Sequence, residues 1–425
     1  MFLARRAFKQ FITASSANIL NKIIATVAAV FLARFLAPEA FGLFSIVFPI
    51  VLLADMFGDL GIDSAVVKYA SETDDDANII WTSNVLDMAA TLMAFAFCLI
   101  ISGPLAFYYQ KPIQTLIIIC AFYLIPNCFT SFSVRLQARR RIGLLSALGT
   151  FNTLTRSILP ILFVLGGWGV TGAIVGYIVS NVAASVLGIY FGGVKGRFKP
   201  EIAKKVLSYG FYSALGMISG YVVGKIDRVL LGLFVAAEAV GYYSTATGMA
   251  DLMALVPAAL YTVLFPIISR SHARNEVEKI RKIYRSSFIG IVIYVTIAAA
   301  GLIFISRPLI QIFLGDAYLP AVWILRVTVI SSGLSALGYI ISVTLNGIGR
   351  PDIVTRISII HAVVLITALP VLAVQMGALG AALATILARI AWLIMGLMET
   401  RRVTKISIGK DAFKEFLASM KEVLT

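Results

Sequence analysis

The stretch FLARFLAPEAFGLFS (31–45) occurs a second time in the chain, as LLGLFVAAEAVGYYS (230–244). At a constant offset of 199, the identical pairs include Phe35/Phe234, Ala37/Ala236, Glu39/Glu238, Ala40/Ala239, Gly42/Gly241 and Ser45/Ser244. A second block returns at an offset of 208, with Gly169, Gly172, Ala173 and Gly188 matching Gly377, Gly380, Ala381 and Gly396. Two matching blocks in the same order indicate that the chain consists of two related halves.

Around these blocks the sequence is far more apolar than a soluble protein requires. Of its 425 residues, 60% are hydrophobic and 13% are charged, and the mean hydropathy is +0.93. A helix needs about 20 apolar residues to cross a bilayer, so twelve crossings would use about 240 residues and leave no room for a sizeable soluble domain. The apolar runs exceed strand length without sustained alternation, which argues against an outer-membrane barrel. The sequence predicts an all-α, polytopic membrane protein.

Apolar runs between polar, proline or glycine breaks predict twelve transmembrane helices. They cover residues 11–36, 42–66, 79–104, 112–134, 143–166, 170–193, 206–235, 240–269, 286–306, 318–346, 353–375 and 379–398. Connections on one side carry 27 lysines and arginines, and those on the other side carry three: Arg34, Lys111 and Arg307. Positive charge marks the cytoplasmic side, so both termini are predicted to be cytoplasmic. The net charge of +15 is thereby explained without a nucleic-acid partner.

The repeat divides the predicted helices into two lobes of six. We assign residues 1–194 to an N-terminal lobe, 195–205 to a cytoplasmic linker, 206–400 to a C-terminal lobe and 401–425 to a cytoplasmic tail. Because six is even, both lobes run the same way across the membrane and are related by a pseudo-two-fold axis along its normal, a layout typical of transporters. The tail has an amphipathic pattern, which suits either the membrane surface or the protein's own cytoplasmic end.

Charged residues inside the predicted helices are the candidate functional residues. Each costs about 2.5–3.5 kcal/mol on insertion scales, so it is expected to face a cavity or an opposite charge. The basic ones are Lys22, Arg156, Lys225, Arg228, Arg326 and Arg389; the acidic ones are Asp55, Asp59, Asp227 and Asp251, with Asp87 as a further buried carboxylate. Two interpretations remain open: ion pairs that hold helices together, or a hydrated cavity whose cations bind an anionic headgroup while its carboxylates take up protons or cations.

Other polar or reactive residues are predicted to be structural. Cys98, Cys120 and Cys128 lie in apolar runs and are expected to be small buried side chains. His361 is expected to be a hydrogen-bonded packing residue, and the loop SETDDDA (71–77) to be solvated. The sequence carries no Walker loop, metal-ligand cluster or nucleophile–base arrangement. We therefore expect no cofactor and no metal, with a proton or Na⁺ as the candidate coupling ion.

Several stretches resemble a known family of membrane proteins. They are ARFLAPEAFGLFSIVFPIVLLADMFGDLGIDSAVVKYAS (33–71), IDRVLLGLFVAAEAVGYYSTATGMADLMALVPAALYTVLFPIISR (226–270), IQIFLGDAYLPAVWILRV (310–327), LNGIGRPDIV (345–354) and MGALGAALATILAR (376–389). They are similar to the polysaccharide (Wzx-type) flippases of the multidrug/oligosaccharidyl-lipid/polysaccharide (MOP) exporter superfamily. The resemblance covers nearly the whole chain and rests on glycine, proline and aromatic positions.

The resemblance implies two six-helix lobes in a V shape. It also implies translocation of a polyprenyl-pyrophosphate-linked oligosaccharide from the cytoplasmic to the outer leaflet by alternating access, for cell-surface polysaccharide or glycan assembly. In that family the first, second, seventh and eighth helices line the cavity, where cations meet the pyrophosphate. Those helices carry here Lys22, Asp55, Asp59, Lys225, Asp227, Arg228 and Asp251. We expect a monomer in the plasma or inner membrane that contacts lipids, the glycolipid substrate and glycan-assembly enzymes.

Two alternatives compete with a flippase. A drug/cation antiporter of the same superfamily would share the helices, but its cavity should be mainly acidic, whereas the buried charges here are six basic to five acidic. A membrane enzyme acting on the same lipid carrier would need a large outer loop. The longest outer connection covers only residues 307–319 and is partly apolar. The sequence therefore favours a transporter of an anionic substrate that is not an enzyme.

Overall fold

A computed structural model describes the backbone of residues 2–405. The side chains of residues 2–19, 57–58, 212–213 and 215–223 lie outside the described set, and so does the predicted tail from residue 406 to 425. Every regular element within 2–405 is helical. The all-α prediction is therefore confirmed.

The chain folds as two compact units, Met1–Gly241 and Tyr242–Thr425. The first contains α1 (Phe2–Asp59), α2 (Ile62–Ser71), α3 (Ala77–Tyr109), α4 (Gln114–Ala121), α5 (Thr130–Ala138), α6 (Ile142–Phe163), α7 (Gly169–Gly192) and α8 (Pro200–Phe234). A 3₁₀ turn (Ile125–Phe129) precedes α5, and a π-helical turn (Val164–Trp168) joins α6 to α7. The helix α9 (Ala237–Ala250) passes from the first unit into the second.

The second unit contains four long helices. After a 3₁₀ turn (Asp251–Ala254), they are α10 (Leu255–Ala273), α11 (Val277–Phe313), α12 (Ala321–Gly347) and α13 (Pro351–Thr404), with a short 3₁₀ turn (Asp316–Tyr318) before α12. The core of this unit is built on buried side chains of α11, α12 and α13, among them Tyr284, Ile340 and Ile357.

Three long helical stretches change direction at a residue with positive φ. These residues are Ala37 in α1 (φ 63°, ψ 166°), Gly169 between α6 and α7 (φ 54°, ψ −139°) and Gly377 in α13 (φ 60°, ψ −138°). Only glycine adopts such backbone angles without strain. Gly169 and Gly377 are equivalent in the repeat and have nearly the same angles. The sequence repeat is therefore also a repeat of backbone conformation at this glycine pair, whereas Ala236, the equivalent of Ala37, has no positive φ.

Eight helical stretches are long and apolar enough to cross a membrane, by length and composition, within the described residues. Three of them each cover most of two predicted spans, one on each side of Ala37, Gly169 and Gly377. The surface is also strongly apolar, since Phe107 and Phe304 are each 86% exposed. Such exposure is unfavourable in water and expected in lipid. The chain is therefore a multi-pass membrane protein, while the count of twelve crossings and their orientation stay predictions.

The seventh predicted span belongs to α8, which packs against α1, α2 and α3 within the first unit. This helix begins at Pro200, inside the predicted linker (195–205), because proline suits the first turn of a helix, where no backbone donor is needed. The lobe boundaries proposed from the sequence stay predictions.

Candidate functional site

Two aspartates flank a break between α1 and α2. Leu60 and Gly61 both have positive φ (47° and 72°), and a Cβ at Gly61 would overlap the carbonyl oxygen of Gly210 on α8. Across the break, the backbone N–H of Asp63 donates to Oδ1 of Asp59 (3.4 Å). The second predicted span (42–66) is therefore interrupted after Asp59. Non-helical backbone in a membrane protein is found where it is buried in protein or lines a polar cavity.

Asp55, one turn before Asp59, is held by an asparagine. The Nδ2 of Asn127 lies 2.9 Å from each carboxylate oxygen of Asp55. Oδ1 of Asn127 in turn accepts a hydrogen bond from Nδ2 of Asn181 (2.6 Å), which also donates to the carbonyl of Tyr123 (3.0 Å). These bonds join α1, the 3₁₀ turn and α7. They supply the donors that a carboxylate removed from water requires.

Arg156 of α6 lies between two aromatic rings. Its guanidinium carbon is 5.6 Å from the ring centre of Tyr123 and 5.2 Å from that of Tyr177. Aromatic faces attract a cation and reduce the cost of removing it from water. Arg156 also interacts electrostatically with Asp55, without an ion pair closer than 4.0 Å in the described part of the chain. The structure thus brings together two of the residues predicted to form the site.

The site prediction missed two neighbouring carboxylates. Asp63 is half-buried, and its Oδ1 is shielded from solvent without a hydrogen-bond partner among the described residues, while Asp87 accepts a hydrogen bond from Oγ of Ser131 (2.6 Å). Both interact electrostatically with Asp59. A sequence signal for Asp63 was available, because it continues the four-residue spacing of Asp55 and Asp59. Asp87 had been recognised as a charge within a helix but not assigned to the site.

The other predicted site residues of the first unit are Lys22 on α1 and three residues on α8, Lys225, Asp227 and Arg228. Lys22 is exposed on α1, where its carbonyl accepts a hydrogen bond from Thr26 (2.8 Å). Asp227 is buried, and its Oδ1 accepts a hydrogen bond from the backbone N–H of Arg228 (2.9 Å). Lys225 and Arg228 are half-buried, and both make further contacts.

In the second unit, Asp251 and Arg389 act on the same tyrosine. Asp251 is exposed at the 3₁₀ turn before α10, and its Oδ1 accepts a hydrogen bond from Ser332 (3.3 Å). The hydroxyl of Tyr339 on α12 interacts electrostatically with the carboxylate of Asp251 and with the guanidinium of Arg389 on α13. The contact shown for Asp251 is therefore the hydrogen bond from Ser332 on α12, while Arg389 affects the same tyrosine through its charge.

Arg326 and His361 occupy different settings. The Nε of Arg326 donates to Oγ of Ser306 (3.0 Å), and its guanidinium carbon lies 4.6 Å from the ring centre of Trp323. His361 was expected to be hydrogen-bonded, and this expectation is wrong. It is 1% exposed, and neither ring nitrogen has a hydrogen-bond partner within residues 2–405. Its neighbours one turn away on α13, Ile357 and Leu365, are buried apolar residues that offer no partner.

The loop predicted to be solvated contains one buried carboxylate. Asp76 is 1% exposed and accepts hydrogen bonds from Arg135 (2.9 Å to each oxygen involved) and from Nε of Arg139 (2.8 Å), both on or just after α5. Burial raises the pKa of Asp76, but the hydrogen bonds and charges of the two arginines outweigh it and hold the pKa below its ordinary value of 3.8. Ser71, Glu72, Asp74 and Asp75 are exposed as predicted, and Thr73 and Ala77 are half-buried. The three cysteines are buried and free, as expected.

The chain is similar to several known proteins. A family model described as polysaccharide biosynthesis protein matches residues 31–323. The chain belongs to this family. Its membership confirms the resemblance to polysaccharide flippases of the MOP superfamily, and the family is one of transporters and flippases.

Individual relatives match along most of the length of this chain. A probable low-salt glycan biosynthesis flippase, Agl15, of Haloferax volcanii is 25% identical over 91% of this chain and 81% of its own. A putative O-antigen transporter of Shigella flexneri is 23% identical over 86% of this chain and 92% of its own. Among solved structures, the inward closed conformation of the lipid II flippase MurJ has a TM-score of 0.78 at 16% identity, covering 96% of this chain and 91% of that one. That likeness confirms the fold.

The arrangement suits binding and transport chemistry more than metal binding. Within the described residues, no group of three or more histidine, cysteine, aspartate or glutamate side chains could hold a metal ion. What the first unit does contain is a cation between aromatic faces, a hydrogen-bonded carboxylate beside it and a broken helix next to both. Whether these residues form the transport site stays a prediction.

Proposed function

We propose that this family member is a flippase for a polyprenyl-pyrophosphate-linked oligosaccharide. It moves the glycolipid from the cytoplasmic to the outer leaflet of the cell membrane by alternating access, for the assembly of cell-surface polysaccharide or glycan. The match of residues 31–323 to the polysaccharide biosynthesis family carries this proposal. The Haloferax and Shigella relatives, which are named as a probable glycan biosynthesis flippase and a putative O-antigen transporter, support it.

Arg156 is the cation best placed to meet the pyrophosphate. Its charge is balanced by the faces of Tyr123 and Tyr177 and not by a carboxylate in contact, so its donors are not consumed by an ion pair. A guanidinium presents five N–H donors in a planar fork that matches phosphate oxygens. A site of this kind can bind an anion without first breaking an ion pair in contact.

We further propose that Asp55 couples transport to a proton or Na⁺ gradient. Both oxygens of its carboxylate accept a hydrogen bond from Asn127, and the charge of Arg156 is nearby. A pyrophosphate bound at Arg156 would compete with Asp55 for the same positive charge, so that substrate binding and cation uptake at Asp55 would favour each other. We also propose that the protein uses no cofactor, does not hydrolyse its substrate and acts as a monomer.

The test is flipping of a defined glycolipid by purified protein in liposomes. A polyprenyl pyrophosphate carrying a fluorescent oligosaccharide is incorporated, and its exposure on the outer face is followed by quenching. We expect Arg156→Gln to slow flipping at least about tenfold, because a charge-assisted contact is worth about 1.5–3 kcal/mol. Arg402→Gln is the matched control, since it removes the same charge from an exposed helix end (79% exposed) and should leave the rate unchanged.

Two outcomes would change the assignment. If the wild-type protein moves an organic cation against a gradient and not the glycolipid, it is a drug/cation antiporter. If the glycolipid is chemically altered during the assay, it is an enzyme acting on the lipid carrier. If Arg156→Gln flips at the wild-type rate, the flippase assignment survives, but its pyrophosphate site lies elsewhere.

A further inference from the structure

The first unit contains a polar cavity that the proposed headgroup site does not use. It measures about 500 Å³ and lies between α1, α5, α6 and α7. Small-molecule sites are typically about 300–1,000 Å³ in volume. Eight of its thirteen lining residues have amide or hydroxyl side chains, and none of the lining residues is charged. So many uncharged polar side chains are unusual in a membrane protein, where each must find a partner.

Two amide oxygens in this wall accept no hydrogen bond. They are Oδ1 of Asn21 on α1 and Oδ1 of Asn152 on α6, which are shielded from solvent and have no partner among the described residues. A buried acceptor left without a donor is unfavourable, so it is normally satisfied by protein or by a bound molecule. The cavity therefore offers acceptors that a ligand with hydroxyl groups would satisfy.

The opposite wall joins the cavity to the Asp55 network. Asn181 of α7 lines the cavity and is also hydrogen-bonded to Asn127, the residue that holds Asp55. Ser185, one turn further on α7, lines the cavity and donates to the carbonyl of Pro126 (2.9 Å). A ligand in the cavity can therefore affect Asp55, because Asn181 contacts both the cavity and Asn127.

Apolar side chains complete the lining. Ile142, Leu145 and Leu148 of α6 and Ala184 of α7 lie in the same wall as the amides and hydroxyls. A sugar ring has this same mixture, with hydroxyls at its edge and C–H groups on its faces, and each hydroxyl both donates and accepts. A charged group would find no counter-ion in the lining, and an alkyl chain would leave its polar residues unsatisfied.

Positive charge flanks the cavity in the sequence. Lys22 follows the lining residue Asn21, and Arg141 precedes the lining residue Ile142; both cations are exposed. Arg141 lies in a connection predicted to be cytoplasmic, and Lys22 lies within the first predicted span. A ligand with sugars in the cavity and a phosphate at its edge would match this distribution of polar and charged groups.

We propose that this cavity binds an uncharged sugar of the lipid-linked oligosaccharide. The inference rests on the proposed flippase function and adds to it a glycan subsite that discriminates the glycosylated carrier from the bare one. Neutral sugars such as an N-acetylhexosamine fit the lining, and acidic sugars are disfavoured.

Gly149 offers a way to fill the cavity without disturbing the helix. It lines the cavity on α6, and a Cβ built there meets no atom within 4 Å. Gly143 on the same helix is equally open but does not line the cavity, and six residues place it about 120° around the helix from Gly149. Gly149→Leu is therefore the test and Gly143→Leu the matched control, since both change glycine to a better helix former.

The first experiment measures flipping of two probes in liposomes, polyprenyl diphosphate carrying one N-acetylglucosamine and the same lipid without sugar. We expect Gly149→Leu to slow the glycosylated probe about tenfold or more and to leave the bare lipid within about twofold, with Gly143→Leu unchanged on both. Equal slowing of both probes, or of neither, would overturn the glycan subsite.

The second experiment does not depend on transport. Ser146, another lining residue, is replaced as Ser146→Cys on a background in which the three native cysteines are alanine, and its labelling by a small methanethiosulfonate is timed. Protection by the glycosylated probe and not by the bare lipid supports the subsite. Equal protection by both, or by neither, contradicts it. If the wild type flips neither probe, the flippase proposal fails, and this labelling result still decides whether the cavity binds sugar.

Discussion

Asp76 and Glu276 occupy equivalent positions in the two halves of the chain but have different partners. They lie 200 residues apart, and each directly precedes a long helix, α3 at Ala77 and α11 at Val277. Asp76 binds Arg135 and Arg139, about 60 residues further along the chain. Glu276 binds within five residues of itself, accepting from Ser271 (3.2 Å) and Lys279 (3.0 Å).

The difference shows what a repeat fixes and what it leaves open. The position of an acidic residue before the helix is common to both halves, but only the first half has arginines on a neighbouring helix to bind it. In the first unit the carboxylate links the loop before α3 to α5, whereas in the second it stabilises only its own turn. A long-range ion pair therefore connects two parts of the first half, whereas the contacts of Glu276 among the described residues are all local.

The largest expected difference is in the stability of two variants, Asp76→Ala and Glu276→Ala. Asp76→Ala leaves two arginines without their buried partner, and breaking such a pair costs about 3 kcal/mol or more. Glu276→Ala should leave the thermal unfolding temperature within error, because this residue forms only local contacts at the surface. Unfolding of each purified variant in detergent measures both, and an equal loss in the two variants would show that the halves are anchored alike.

The next effect should be the same in both halves. Gly169 and Gly377 share a positive φ, and a Cβ at either position would meet no atom within 4 Å, so substitution tests backbone strain alone. We expect Gly169→Ala and Gly377→Ala each to cost about 1–3 kcal/mol of stability. Gly301→Ala is the control, because it lies in α11 in open space without positive φ and should be neutral or stabilising. A cost in only one of the two halves would contradict their equivalence.

A smaller effect, on the response of flipping to an ion gradient, should distinguish Asp55 in the first half from Asp251 in the second. Asp55 is held through both oxygens by Asn127, whereas Asp251 is exposed with one bond of 3.3 Å. We expect Asp55→Asn to reduce the acceleration of flipping by a pH or Na⁺ gradient about tenfold, and Asp251→Asn about twofold, because a hydrogen bond to a charged group is worth about 1.5–3 kcal/mol. Flipping is measured with and without each gradient. Wild-type responses in both variants would remove these residues from coupling.

The smallest effect is the dependence of stability on pH. Because the pKa of Asp76 is held below 3.8 in the folded protein, its contribution is complete above that value and is lost as the pH falls through the folded pKa. The unfolding temperature of the wild type should exceed that of Asp76→Asn by a constant amount from pH 7 to 5, and the gap should shrink below about pH 4. A gap that widens with acid would mean that Asp76 is already protonated in the folded state.

Much of the architecture could be predicted from the sequence because it depends on local composition. Apolar length sets helix length, and the glycines at Gly169 and Gly377 mark the points where two long helices turn. The break after Asp59 was not predicted. It requires a positive φ at Leu60 and close contact between Gly61 and Gly210, and apolar length carries no signal for either.

The candidate site was only partly accessible from the sequence. Charges within helices identified Asp55 and Arg156, but not the roles of Asn127, Tyr123 and Tyr177, which are neutral and common in such helices. The burial of Asp76 and the lack of partners for His361 were likewise mispredicted. Whether a polar side chain meets a donor on another helix depends on how that helix is rotated and kinked.

The sequence by itself determined that this is an all-helical membrane protein of two related halves, because hydropathy and repeats are properties of the chain alone. Only the tertiary structure decided which charges meet. It placed Arg156 between two tyrosines, gave Asp76 its two arginines and enclosed a cavity of amides and hydroxyls between four helices. The physical reason is that side-chain partners belong to helices far apart in the chain, whose facing surfaces are set by backbone kinks and close glycine packing.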